Sequence, residues 1–202
     1  YPTLYKGVAL YGYPGKKSGL EVQEIERIKL HDAPGLYKIL MLHTAIRDAA
    51  GSLPISAVDQ DKLPKVDYTA MAHLHILYNK HGRVYCGPTF PNNAAELEAL
   101  KVGSFYIVDT AKNIIDRRQI KLKAVLVVDI DITDALTATE KLKTSLKELN
   151  IKDKIVLLRV SGFLERGKLS DINFQEIDKL AQEQGVFVLL KKGKSRSFIG
   201  LC

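Results

Sequence analysis

The sequence predicts an α/β chain in two parts: a strand-rich region over residues 1–118 and a smaller β-α-β-α-β module over 119–202. Three observations predict it. Dense apolar runs at 36–42 and 66–72 are bounded by turn residues and have the length of buried strands. After residue 123, apolar runs alternate with stretches of helical periodicity. Of 202 residues, 46% are hydrophobic and 26% charged, which excludes a disordered or collagen-like chain.

The elements follow in order. Residues 6–11 form a short strand, and 12–19, with Gly12, Pro14, Gly15 and Gly19, form a turn-rich loop. Val22, Ile25 and Ile28 have helical spacing, so 21–29 is a helix. The 36–42 strand follows the Pro34-Gly35 turn and ends at His43. Residues 51–64 carry two prolines and read as loop, and the 66–72 strand ends at His73-Leu74-His75. Residues 83–86 are extended, 87–93 form a long turn, and 104–109 form a strand. In the second part, 124–130 is a strand and 137–149 an amphipathic helix with Leu142, Leu146 and Leu149 on one face. A strand at 154–160 follows. Asn173 caps a helix running to Gln184, with Glu176 at its third position, and Gly185 stops it before a strand at 186–190.

The net charge of +7 permits a polyanionic partner without identifying one. The basic stretch Lys191-Lys192-Gly193-Lys194-Ser195-Arg196 reads as a solvated tail. Cys86 and Cys202 are far apart, which argues against a disulfide framework and fits a reducing, cytoplasmic setting. No run approaches the roughly 18 apolar residues of a membrane span, so no membrane partner is expected. The chain has no initiator Met, so Tyr1 is expected to be an internal residue of a longer product.

The five histidines carry the chemistry. His73 and His75 are two apart, and on an extended segment both imidazoles lie on one side. His43 ends the preceding apolar strand, so three imidazoles would gather at one sheet edge, in metal-ligand fashion. The alternative is that His43 is a strand-terminal residue bonded to a backbone carbonyl. His31 and His81 read as surface residues, and Asp129 and Asp131 as a solvated strand edge. Nucleophile-elbow, phosphate-loop and dinucleotide-binding motifs are absent. A pair of hard cations about 3.5–4 Å apart also needs bridging carboxylates. None stands at an obvious partner position, so either no metal binds or the other ligands lie on another stretch of polypeptide.

Three segments resemble a known family. They are Leu40-Met41-Leu42-His43, Asp67-Tyr68-Thr69-Ala70-Met71-Ala72-His73-Leu74-His75 and Val84-Tyr85-Cys86-Gly87-Pro88-Thr89. They resemble the C-terminal half of calcineurin-like metallophosphoesterases, most closely the SbcD-like double-strand-break repair nucleases. The module from 119 looks like that family's capping domain, with Lys154-Ile155-Val156-Leu157-Leu158-Arg159-Val160-Ser161-Gly162 similar to its second strand. The resemblance implies the C-terminal half of a layered β-sandwich with flanking helices. It implies manganese-dependent cleavage of phosphodiesters at DNA ends, with His43, His73 and His75 as ligands to a pair of Mn²⁺ ions. Glu96 or Glu98 stands for a family glutamate. DNA, an SMC-like ABC ATPase subunit and a homodimer of the full-length protein are the implied partners. Lys16, Lys17 and Arg47, in loops near strand ends, are the expected DNA contacts.

Three departures qualify the likeness. Ala72 replaces a family Gly, Pro88-Thr89-Phe90 replaces a Ser and its neighbours, and the family's Asp-x-His, Gly-Asp and Gly-Asn-His-Asp motifs are missing. The expected role is therefore the C-terminal part of such a nuclease, inactive alone. A non-catalytic DNA- or ATPase-docking module and a small-substrate phosphodiesterase are the competing readings.

Overall fold

Residues 1–16 and 21–193 are described by a computed structural model of the chain. It is a mixed α/β protein with six-, three- and two-stranded sheets and five α-helices among the described residues. The chain divides into two units. The first holds residues 1–90 and 103–120, and the second holds 91–102 and everything from 121 onward. Residues 91–102 are an excursion: they group with the second unit, although the sequence on both sides of them belongs to the first.

The first unit is built on β1 (Thr3–Tyr5), β2 (Val8–Tyr13), β3 (Tyr37–His43), β4 (Tyr68–Ala72), β5 (Leu77–Lys80) and β6 (Arg83–Cys86). Their order is β1-β2-β3-β4-β6-β5. The four central strands β2, β3, β4 and β6 run parallel, with β1 and β5 antiparallel at the edges. Short helices α1 (Glu21–Ile25) and α2 (Arg47–Ala50) lie in the connections. α1 is shorter than the 21–29 spacing suggests. After Ile25, Arg27 and Ile28 bond to carbonyls three residues back, which tightens and ends the helix while Ile28 still packs on the core.

Side-chain alternation sorts the sheet into two faces. Ala9, Tyr11, Leu40, Leu42, Met71 and Tyr85 are buried on one face with Ile25, Ile46 and Val58. Ile39, Met41 and His43 alternate to the other face, where Gly12, Ala70 and Ala72 stand in register with them. Met41 is 46% exposed on that face. A two-stranded hairpin, β7 (Gly103–Asp109) and β8 (Ile114–Ile120), adjoins β6: the Ser104 hydroxyl donates to the Cys86 carbonyl at 2.7 Å.

The second unit has β9 (Val125–Asp131), α4 (Ala135–Lys147), β10 (Ile155–Ser161), α5 (Phe174–Glu183) and β11 (Val188–Gly193), with α3 (Ala94–Leu100) joining it from the excursion. The strands are all parallel, in the order β11-β10-β9. Helical crossovers connect them, as parallel pairing requires. Val128, Ile130, Val156, Leu158 and Val160 pack against Ala138, Leu142 and Leu146 of α4 and Ile177 and Ala181 of α5. The Asn173 side chain accepts from the Gln175 and Glu176 amides at 3.2 Å and so caps α5. Gly185 takes φ +73 just past its end. No helix among the described residues is long and apolar enough to cross a membrane.

Candidate metal centre

β3 and β4 are neighbouring parallel strands, so both point their carboxyl ends at the same sheet edge. Binding sites of open α/β sheets form at such edges. The register pairs His43 with Ala72, which puts His73 one residue past the row that holds His43. β4 stops there because His73 takes φ +98. The premise of a continuous extended His-x-His therefore does not hold: the chain bends at the first histidine. Ala72, where the resembled family has Gly, lies inside β4 and is not among the positive-φ residues. The unusual backbone is carried by His73 instead, at a cost an ordinary residue does not bear.

The bend turns the His73 ring onto that of His43. The ring centroids are 5.3 Å apart and the planes meet at 67°. Both residues are exposed. The two imidazoles are thereby brought together edge to face at one place on the sheet edge. Among the described residues, no group of three or more His, Cys, Asp or Glu side chains is placed to hold an ion. The pair is thus a two-donor arrangement. His75 follows in the same turn and is exposed.

Two features that sequence reasoning passed over hold His43 in place. The first is Gly15, in the loop after β2. A Cβ there would lie 2.7 Å from His43 Cδ2 and 3.0 Å from the His43 carbonyl oxygen. The loop can approach the ring only because residue 15 has no side chain. Gly15→Ala is accordingly expected to displace the His43 ring from its edge-to-face contact with His73. The nuclear Overhauser contact between the two sets of ring protons checks this, and its persistence would show that the loop yields instead. The second feature is Tyr85, on β6. Its fully buried hydroxyl donates to the Thr44 carbonyl at 2.8 Å and accepts from the Ile46 amide at 3.0 Å. Burial pushes the phenol well above its ordinary pKa, which keeps it a neutral donor.

Tyr78 packs edge-on against Tyr85, with centroids 6.0 Å apart. Its hydroxyl donates to Asp48 Oδ2 at 2.6 Å. Burial, and then this carboxylate, push the Tyr78 phenol up to about 12, while the Tyr78 hydroxyl holds the Asp48 carboxyl below its usual range.

No family model matches the chain, and no curated protein matches its sequence.

The remaining expected site residues are placed as follows. His31 is exposed and stacks on Tyr1 with centroids 3.9 Å apart. His81 and Gly82 both take positive φ, 52° and 71°, and form the two-residue turn between β5 and β6. Lys16 pairs with Glu24 at 2.5 Å, and Arg47 donates to the Ala57 carbonyl at 3.4 Å. Lys17 lies outside the described residues. In the second unit, Glu96 accepts from the Asn92 amide at 2.8 Å and the Asn93 side chain at 2.7 Å, at the start of α3. Glu98 is ion-paired with Arg159, whose Nε also donates to Asp129 at 2.6 Å. Asp129 is therefore an exposed partner in a charge network, and Asp131 accepts from the Ser161 hydroxyl at 3.3 Å.

Proposed function

We propose that the chain is the C-terminal part of a manganese-dependent DNA nuclease of the calcineurin-like metallophosphoesterase type, with residues 119–202 as its capping domain. The observation that carries this reading is the meeting of His43 and His73 at the carboxyl edge of two adjacent parallel strands. The motif resemblance selects His43, His73 and His75, and so includes both of these residues. The half-exposed sheet face bearing Met41, Gly12 and Ala72 fits a second sheet layered against it, as the β-sandwich of that family would require.

The fit to a metal pair is partial. His43 and His73 would supply imidazole nitrogens, His75 follows two residues after His73, and the bridging carboxylates would come from polypeptide upstream. When bound, such a metal pair supplies an activated water and neutralises charge on the scissile phosphate. This chain's own part is to hold the imidazoles oriented at the sheet edge. DNA, an SMC-like ABC ATPase and a second copy of the full-length protein are the proposed partners, in the cytoplasm.

The test is a Mn²⁺ titration of the purified chain, read by paramagnetic broadening of the imidazole resonances. We expect His43 and His73 to broaden together, and His73→Ala to weaken binding by about tenfold or more. The chain alone is expected not to cleave linear duplex DNA. Unchanged Mn²⁺ affinity after replacing both histidines with alanine would remove the metal reading and leave a non-catalytic docking module. DNA affinity should fall steeply with salt, whereas a flat response would point to a small phosphodiester.

A further inference from the structure

Tyr85 sits two strands away from His43, on β6, with β4 between. Its hydroxyl nonetheless reaches the segment that follows His43. It donates to the carbonyl of Thr44 and accepts from the amide of Ile46. Thr44 and Ile46 are themselves buried, at 1% and 0% exposure, and the Thr44 hydroxyl has no hydrogen-bond partner. The phenolic oxygen is thus a polar anchor for the backbone at the carboxyl end of β3. On the opposite side, Gly15 presses against the His43 ring and carbonyl. With His73 turned onto the same ring, the imidazole of His43 is fixed only if the backbone behind it is fixed.

We infer that Tyr85 is a positioning residue for His43: its hydroxyl clamps Thr44 and Ile46 and thereby holds the His43 ring against His73. The inference rests on the reading of His43 and His73 as metal ligands for its functional meaning, but not for its structural content. The clamp ties β3 to β6 across β4, so the two strand ends that flank the His73 turn move as one. A hydroxyl making two hydrogen bonds in a dry setting is costly to lose, because both backbone groups would be left unpaired.

The test compares the unaltered chain with Tyr85→Phe and Tyr78→Phe by proton NMR, with and without Mn²⁺. Tyr85→Phe removes only the hydroxyl. It is expected to abolish the nuclear Overhauser contact between the His43 and His73 ring protons and to weaken Mn²⁺ binding by about tenfold. Tyr78→Phe removes the neighbouring hydroxyl, which serves Asp48, and is expected to leave the ring contact intact. Retention of the ring contact in Tyr85→Phe would overturn the inference. Should that variant not fold, exchange of the Ile46 amide in the unaltered chain decides. Protection equal to that of the β3 amides supports the clamp, and fast exchange sinks it. If Mn²⁺ fails to broaden either ring in the unaltered chain, the metal reading falls, while the ring contact still judges Tyr85.

Discussion

Gly103→Ala is expected to destabilise the first unit by about 3 kcal/mol or more. A Cβ at residue 103 would lie 1.7 Å from the Thr89 carbonyl oxygen and 2.3 Å from its carbon. Both obstacles are backbone, so no side chain can swing aside. The neighbouring strands cannot part easily either. The Ser104 amide donates to the Pro88 carbonyl at 3.1 Å, and the Ser104 hydroxyl donates to the Cys86 carbonyl at 2.7 Å. Ser104 itself is 1% exposed, so opening the contact would strand buried polar groups. Denaturant unfolding, resolved by hydrogen exchange at β6 and β7, measures the loss. Gly12→Ala is the control: its nearest atoms would be 3.9 Å away, an ordinary contact, and its cost should stay near the propensity level of under about 1 kcal/mol. Equal stability of the two variants would mean that the Thr89 segment relaxes freely.

Leu158→Ala is expected to cost about 2–5 kcal/mol, read from exchange of the β9, β10 and β11 amides. β10 is the central strand of its sheet, and Leu158 is fully buried in the core between the sheet and α4 and α5. Every neighbour in that core is also packed, so the space left by the removed atoms cannot fill without moving a helix. Leu136, on α4 but 66% exposed, provides the contrast: its replacement by alanine should leave exchange nearly unchanged. Comparable losses at both positions would mean that the sheet–helix core is not where the second unit's stability resides.

The residues differ in how openly they announce these roles. β10 was legible because a strand buried on both faces must be apolar throughout, and Ile155, Val156, Leu157 and Leu158 leave little alternative. Asn173 and Gly185 were legible because capping and stopping a helix are local chemistry. β5 was not, since its four residues are mostly exposed and its turn uses His81-Gly82 rather than a more usual pair. α3 was missed because it is short and follows a run of turn residues. The candidate site divides in the same way. His43 and His73 show themselves as histidines at the ends of apolar runs. Their meeting depends on the register of β3 against β4 and on a positive φ at His73, neither of which is written in spacing. Gly15 and Tyr85 act across space, so nothing in their immediate neighbours marks them.

The excursion of residues 91–102 bears on modularity. The chain crosses between its units at 90/91, 102/103 and 120/121, so neither unit is one continuous stretch of sequence. A single cut at 120/121 leaves α3 attached to the first unit's chain, though it packs on β9 and pairs Glu98 with Arg159. The second unit is therefore not a detachable cassette. Recombination that exchanged only the segment from 121 onward would graft a sheet without its third helix and leave Arg159 short of one partner. The two units inherit changes together, because the sequence that completes one is threaded through the other.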